Sequence, residues 1–240
     1  RNMNSGTYYG TITQAIAAAS SHDVLHVSTG VYCELVVISN GMYLTIDGGY
    51  QTNCTIKIAD AYSVITPRAP ADAGLHVRAA TAVVMNVCVT GINTIAINVR
   101  YPGTILTAQY CISAFNTAFS IKNGGGLCVR QSAKAVLENT TIVSNSADSG
   151  GGGIYVDELS TCELRPNCVV AYNTAAQGGG IMVSNATVFL DDTVVNNNAA
   201  SGHGGGVFAA NATVIATNWA YLGRNTARGD GGGVYLTNAT

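Results

Sequence analysis

Residues 150–157 read GGGGIYVD, and this pattern of glycines followed by alternating aliphatic residues occurs five times in the chain. The other copies are GGGLCVR at 124–130, GGGIMVS at 178–184, GGGVFAA at 204–210 and GGGVYLT at 231–237. Their last glycines are residues 126, 153, 180, 206 and 233, so successive copies are 27, 27, 26 and 27 residues apart. A fixed period of this length indicates a solenoid, whose repeats bury their apolar faces by stacking on one another.

Three short strands are predicted in each repeat. The first and third residues after the last glycine are aliphatic in every copy, which is the period-two alternation of a strand with one buried face. A second β-rich segment follows, as at Thr187–Leu190, and a third segment ends in an asparagine with a small residue close behind. That asparagine recurs along the chain as Asn93, Asn116, Asn145, Asn173, Asn198 and Asn225. Three strands per repeat predict one coil of an all-β parallel β-helix, with a ladder of stacked amides at the asparagine turns.

The chain is predicted to be a single domain of residues 1–240. The Ala-rich segment 12–19 predicts a short helix, so that residues 1–23 form a cap over the first coil. Residues 24–123 form shorter coils, in which Gly74–Arg78 and Ala96–Arg100 match the first strand of the later repeats. Residues 124–240 form the triple-glycine repeats, which we expect to continue beyond Thr240.

Two segments carry a family resemblance. The segment from Ile12 to Tyr50, which includes GVYCELVV, resembles the first coils of the pectin-lyase-like right-handed parallel β-helix superfamily. The later segments NTAAQGGGIMV and NTARGDGGGVYL resemble the repeats of polymorphic outer-membrane proteins and related bacterial surface adhesins. The resemblance implies a right-handed β-helix, and an extracellular or cell-surface protein associated with an outer membrane. It implies little about activity, because this superfamily contains lyases, hydrolases and non-catalytic adhesins.

Composition agrees with an extracellular rod. Charged residues make up 10% of the chain, and the net charge is −2, so the basic surface of a nucleic-acid-binding protein is absent. No glycine motif fits a nucleotide fold, because the glycines precede strands and not helices. We therefore predict no cofactor and no nucleic-acid partner. The expected partners are a glycan or protein on a cell surface or in a matrix, further copies along the rod, and the rest of a longer chain.

Seven cysteines are present, and none has the Cys-x-x-Cys spacing of a metal site. Three disulfides are predicted, each joining cysteines in the same or neighbouring coils, and Cys128 is left over. For Cys88 and Cys111, buried free thiols are an equal alternative, because free cysteine behaves as a small core residue. The candidate pairs are Cys33 with Cys54, Cys88 with Cys111, and Cys162 with Cys168.

Five Asn-x-Ser/Thr acceptors are candidates for glycosylation: Asn53, Asn139, Asn185, Asn211 and Asn238. The last three lie at the predicted turn between the first and second strands of their repeats. A glycan there would be exposed along one edge of the rod. The alternative is that asparagine serves only the turn, since it tolerates a left-handed backbone.

Two predicted outer columns are candidates for ligand binding. The fourth residue after the glycines is Arg78, Arg100 or Arg130 in three coils, which predicts a positive strip suited to the carboxylate or sulfate groups of acidic glycans. The second residue forms a column that includes aromatic side chains, and it faces outward if the first and third residues face the core. This column is a candidate partner surface or sugar-stacking platform, or it packs under a loop. Its aromatic members are Tyr155, Phe208 and Tyr235.

The predicted function is a structural or adhesive stalk that binds a glycan or protein ligand on its outer face. A first alternative is a lyase or hydrolase of acidic polysaccharides, which would need paired carboxylates such as Asp157 with Glu163 across strands. The adjacent Asp191 and Asp192 are predicted to form a turn. No catalytic residue and no metal ligand is assigned. A second alternative is a self-assembling extracellular filament subunit.

Overall fold

Short parallel strands that stack in successive coils are the main element of the chain, as the repeats predict. The structure is a computed structural model that describes residues 1–67, 73–120 and 122–240. Within these residues the strands are β1 (Asp23–Ser28), β2 (Gly30–Tyr32), β3 (Val36–Ile38), β4 (Tyr43–Tyr50), β5 (Ser63–Ile65), β6 (Ala73–Arg78), β7 (Thr81–Met85), β8 (Val87–Thr90), β9 (Ile95–Arg100), β10 (Ile105–Gln109), β11 (Ile112–Ala114), β12 (Thr117–Ala118), β13 (Leu127–Arg130), β14 (Lys134–Glu138), β15 (Thr141–Val143), β16 (Ser146–Ala147), β17 (Ile154–Asp157), β18 (Thr161–Leu164), β19 (Val169–Ala171), β20 (Thr174–Ala175), β21 (Ile181–Ser184), β22 (Thr187–Asp191), β23 (Val194–Asn196), β24 (Ala199–Ala200), β25 (Val207–Ala210), β26 (Thr213–Thr217), β27 (Tyr221–Gly223), β28 (Thr226–Ala227) and β29 (Val234–Thr237).

Equivalent strands of successive coils pair in parallel and form four sheets. Sheet 1 has the order β1-β4-β7-β10-β14-β18-β22-β26, and sheet 2 the order β2-β5-β8-β11-β15-β19-β23-β27. Sheet 3 has the order β3-β6-β9-β13-β17-β21-β25-β29, and sheet 4 the order β12-β16-β20-β24-β28. Each triple-glycine motif leads into a strand of sheet 3, after which the chain passes to sheet 1 and then to sheet 2. The predicted parallel β-helix is confirmed.

The period-two alternation of the repeats makes the core. In sheet 3, Ile154 pairs with Ile181, Ile181 with Val207, and Val207 with Val234. The first and third residues after the glycines are fully buried from β13 to β25. The exceptions are Val234 and Leu236 of β29, which is the edge strand of sheet 3 and has no further strand beside it.

One short helix, α1 (Ile12–Ala17), lies against the first coils, as predicted. Its apolar face buries Ile12, Ala15 and Ile16 in the main core cluster. The Thr11 side chain accepts a hydrogen bond from the Gln14 amide, and the Glu34 carboxylate accepts from the first two amides of the helix at 2.8 and 2.9 Å. The helix ends two residues before the predicted segment 12–19 does.

A fourth strand per coil is the main departure from the predicted three. Between sheets 2 and 3, the later coils add a two-residue strand of sheet 4, with its alanine buried in four of the five strands. Three of these alanines form a second small apolar cluster against the outer side of sheet 3, with the side chains of Cys128 and Tyr155. The second residue after the glycines is therefore covered by the chain, and the prediction that this column faces outward is wrong for β13 and β17. The members of the cluster are Ile95, Ala118, Cys128, Ala147, Tyr155 and Ala175.

The predicted asparagine ladder is present at the turn between sheets 2 and 4. The Oδ1 atom of Asn173 accepts from the backbone N and the Nδ2 of Asn145, at 2.9 and 3.1 Å. The same pair of bonds joins Asn116 to Asn145, Asn173 to Asn198, and Asn198 to Asn225. Asn93 is outside the ladder, because the backbone amide of Ile92 takes that position.

The glycines allow sheet 4 and sheet 3 to approach closely. Gly151 has a φ of +62°, a left-handed backbone that favours glycine. A Cβ on Gly152 would overlap the carbonyl oxygens of Thr174 and Gly179 on the next coil. Both positions therefore require the absence of a side chain, which explains why the triplet repeats.

Candidate functional site

Three arginines form a strip at the corner where the chain turns from sheet 3 to sheet 1. Arg78 pairs with Arg100, and Arg100 pairs with Arg130, so the three lie in register on successive strands. Neighbouring parallel strands are about 4.8 Å apart. The predicted stacking is thus present, and we call these three residues the arginine strip. Arg78 is exposed, and the other two are half-buried.

The arginine strip has no carboxylate partner among the described residues. The guanidinium carbons of Arg100 and Arg130 lie 5.2 Å and 5.8 Å from the ring centroids of Tyr101 and Tyr155, so aromatic rings support both side chains. The buried Nε atoms of these two arginines have no hydrogen-bond partner in the described part of the chain. The strip therefore carries positive charge that no carboxylate of the described residues neutralises, and this charge is what an anion from outside the protein would meet.

The carboxylate of Asp157, on the sheet 3 strand that pairs with the strand of Arg130, already accepts two hydrogen bonds. Its Oδ2 accepts from the Tyr155 hydroxyl at 2.6 Å, and its Oδ1 accepts from the Glu158 amide at 2.7 Å. Burial, together with the hydrogen bond to Asp157, raises the pKa of Tyr155 well above its usual value. The tyrosine stays a neutral hydrogen-bond donor to Asp157.

The aromatic candidates of sheet 3 are not an open platform. Tyr155 is 6% exposed under the alanines of sheet 4, which corrects its prediction as an outward-facing ligand contact. Phe208 and Tyr235 are half-buried, with ring centroids 5.4 Å apart. His203, from the preceding loop, stacks on Tyr235 at 4.7 Å. The loop between sheets 4 and 3 therefore covers this column, which was the alternative considered for it.

None of the three predicted disulfides is present, and all seven cysteines are free thiols. Cys88 pairs with Ile112 and not with Cys111, so the predicted shared column is wrong by one residue. Cys88 faces outward, whereas the Cys111 Sγ is buried and donates to the carbonyl oxygens of Val84 and Gln109, at 3.4 Å each. Burial raises the pKa of Cys111 to about 12, so this thiol stays protonated.

The other two predicted disulfides are likewise absent. Cys162 and Cys168 are both buried in the main core, where Cys162 continues the column of Ala135 and Val188. Burial raises the pKa of both thiols, that of Cys168 to about 11. Cys54 is buried, while Cys33 is exposed at the surface. These cysteines act as core residues, apart from Cys33.

The glycosylation candidates occupy turns. Asn185, Asn211 and Asn238 are exposed and have φ values of 47°, 48° and 49°, so each provides the left-handed turn from sheet 3 to sheet 1. Asn139 is half-buried and accepts a hydrogen bond from Asn167 at 3.0 Å. Asn53 is exposed near the first coils. The role of the first three in the turn is confirmed, and glycosylation stays a prediction.

The carboxylate pair considered for an enzyme is not brought together by a shared strand. Asp157 ends a strand of sheet 3, whereas Glu163 lies in sheet 1 and forms ion pairs with Lys134 and Arg165. Burial raises the pKa of Glu163, but hydrogen bonds and charge from Lys134 and Arg165 outweigh this effect and lower the pKa. No group of three potential metal ligands occurs in the described residues. Of the turn predicted at Asp191 and Asp192, Asp191 is the last residue of β22, and Asp192 begins the turn with a φ of 45°.

Sequence reasoning missed the outer face of sheet 2. This face contains an aliphatic column and is bordered by exposed aromatic residues in the turns. The turn residue before each ladder asparagine has a positive φ and points away from the core, and two of these residues are Phe115 and Tyr172. The signal in the sequence was an aromatic residue directly before the asparagine, as in FNT and YNT.

One family model and one solved structure are similar to this chain. Residues 139–157 match the family model of the Chlamydia polymorphic membrane protein repeat. Among solved structures, the A-module of the Azotobacter vinelandii mannuronan C-5 epimerase AlgE6 is similar over 95% of this chain and 92% of that one. The identity is 11% and the TM-score 0.28. No curated protein matches. None of the helices in the described residues is long and apolar enough to cross a membrane.

Proposed function

We propose that this chain is part of a cell-surface β-helix stalk, associated with an outer membrane, that binds an anionic ligand through the arginine strip. The match of residues 139–157 to a polymorphic membrane protein repeat supports the location. The observation that carries the binding proposal is the in-register stack of three arginines without a carboxylate partner among the described residues.

The geometry favours a linear ligand with repeated negative groups. Three guanidinium groups at strand spacing cover about 10 Å along the rod. Arginine binds carboxylate and sulfate groups through two parallel hydrogen bonds, which suits an acidic glycan or an acidic segment of a protein. Because the strip runs along the rod axis, a chain-like ligand would lie parallel to the rod.

Binding to an array of uronic-acid-containing, sulfated and neutral glycans tests the proposal. We expect binding to the acidic glycans, and weaker binding at higher salt. Arg100→Gln, in the middle of the strip, should weaken binding about tenfold or more, since hydrogen bonds between charged groups contribute about 1.5–3 kcal/mol. Arg228→Gln removes the same charge from an exposed loop and is the matched control.

Two outcomes would contradict the proposal: an Arg100→Gln variant that binds normally, or equal losses in both variants. The alternative of a polysaccharide lyase or hydrolase stays a hypothesis. An assay for new reducing ends or unsaturated products on the same acidic glycans tests it. Filament formation also stays a prediction, which electron microscopy of the purified chain tests.

A further inference from the structure

The outer face of sheet 2 carries a continuous column of uncharged side chains. The outward residue of each strand pairs with that of the next, from β2 to β27. Six of the eight residues are aliphatic or aromatic, and the other two are a cysteine and a threonine. The column consists of Val31, Val64, Cys88, Ile112, Thr141, Val169, Val194 and Tyr221.

Exposed aromatic residues border this column on both sides. Tyr110 and Trp219 lie in turns between sheets 1 and 2, and they are 54% and 86% exposed. Phe115 and Tyr172 lie in turns between sheets 2 and 4, and they are 68% and 60% exposed. We call the column and these four residues the sheet 2 face.

Charge separates the sheet 2 face from the neighbouring outer face. None of the eight strands of sheet 2 contains a lysine, arginine, aspartate or glutamate, and all of these strands lie within the described residues. Outward positions of sheet 1 instead carry charges, including Lys134, Glu138 and Glu163. The sheet 2 strands are therefore free of charged residues, whereas the outer face of sheet 1 is not.

The exposed area is large for an unpartnered surface. The four turn aromatics and Tyr221 are 49–86% exposed, and at about 150–250 Å² of surface for each aromatic side chain they present roughly 650 Å². The largest apolar patch of a typical monomer is about 300–600 Å². A standard protein interface buries about 800 Å² on each partner; these aromatics supply most of that area, and the partly exposed column adds to it.

We propose that the sheet 2 face binds the sheet 2 face of a second copy of this chain, so that two rods lie side by side. A two-fold interface brings the same surface of both copies together. An uncharged surface can meet itself in this way without burying an unpaired charge. The arginine strip stays free in such a pair, because it stands at the corner between sheets 3 and 1, which sheet 2 does not border. The inference thus goes beyond the proposed function and does not depend on it.

Sedimentation velocity on the 240-residue chain tests the pairing. Interfaces of this size have dissociation constants that reach the micromolar range at their weak end. We therefore expect a dimer at about 100 μM protein. The double variant Phe115→Ser/Tyr172→Ser removes two border aromatics and should raise the dimer dissociation constant about 30-fold or more, as loss of interface hot spots does. Its fold should be intact, because Ser144 occupies the same turn position on the coil between them, with the same φ of 56°.

A second variant pair separates a face effect from a charge effect. Val169→Glu places a charge in the column, and Thr161→Glu places the same charge on the outer face of sheet 1 in the same coil. We expect Val169→Glu to abolish the dimer and Thr161→Glu to leave its dissociation constant unchanged. A wild-type chain that stays monomeric at this concentration would overturn the proposal. A Thr161→Glu dimer that dissociates as readily as the Val169→Glu dimer would also overturn it. So would a wild-type monomer that binds a neutral glycan and loses this binding in the Phe115→Ser/Tyr172→Ser variant.

Discussion

Replacing Asn173 by alanine should show how strongly the amide ladder holds the coils together. Asn173 is fully buried, and its Oδ1 accepts a hydrogen bond from the backbone amide of Asn145 at 2.9 Å. It also accepts from the side-chain amide of Asn145, and its Nδ2 donates to the Ile142 carbonyl at 3.0 Å. Alanine therefore leaves three buried polar groups without one partner each.

The expected loss in unfolding free energy follows from these three groups. A buried polar group that loses its hydrogen bond costs about 1–3 kcal/mol, so three such groups would cost about 3–9 kcal/mol. The Asn145 Nδ2 keeps its bond to the Ser113 carbonyl, so we expect Asn173→Ala to cost about 3–6 kcal/mol, in the lower part of this range. This is a large part of the stability of a typical domain, which is about 5–15 kcal/mol. Asn225 is the matched control, because it makes the same bonds to Asn198 but is half-buried at the last rung of the ladder. Water can replace its bonds, so Asn225→Ala should cost about 1 kcal/mol.

Urea unfolding followed by circular dichroism, together with hydrogen exchange of the Asn145 amide, measures both effects. Hydrogen exchange is needed because a stack of repeats can open locally before it unfolds globally. Equal costs for the two alanine variants would refute the reasoning, since the only difference invoked is that Asn225 is half-buried, so that water can reach the groups it leaves unpaired, whereas Asn173 is fully buried. So would an Asn145 amide that exchanges no faster in Asn173→Ala than in the wild type.

Three further measurements test the packing. Gly153→Ala should destabilise by about 1–3 kcal/mol, because a Cβ there falls 2.7 Å from the Gly180 carbonyl oxygen, whereas Gly233→Ala, with nothing within 4 Å, should change little in the same unfolding assay. Thiol titration should modify Cys33 at once and the buried cysteines only on unfolding, and a reductant should not change the melting temperature. The pKa of Glu163 is lower in the folded than in the unfolded chain, so the stabilisation that Glu163 provides is present above its unfolded pKa and is lost as pH falls through its folded pKa. The unfolding free energy of the Glu163→Gln variant should lack this dependence on acid.

The sequence predicted the fold where one residue type repeats for a physical reason. The triple glycines mark a position at which a side chain cannot fit, and the ladder asparagines mark a turn that needs a buried amide, so both reveal the coil directly. The arginine strip was predicted for the same reason, since strands in register bring equivalent positions together.

The predictions that failed concern residues whose contacts the repeat pattern does not reveal. The two-residue strands of sheet 4 are too short to show a period, so the cover that they place over Tyr155 could not be predicted. The disulfide prediction for Cys88 and Cys111 failed because a one-residue shift in register turns a side chain from outside to inside. Trp219 and Phe115 lie in turns, where alternation no longer predicts direction.

The asparagine ladder runs head to tail, with each coil offering the next an identical amide. Removing or inserting one whole segment between two ladder asparagines, which are 25–29 residues apart, would join one ladder asparagine to the next and leave no amide of the ladder without its partner. A gene encoding such a rod can therefore lengthen or shorten its product by recombination, in steps of about 4.8 Å, without having to invent a new junction.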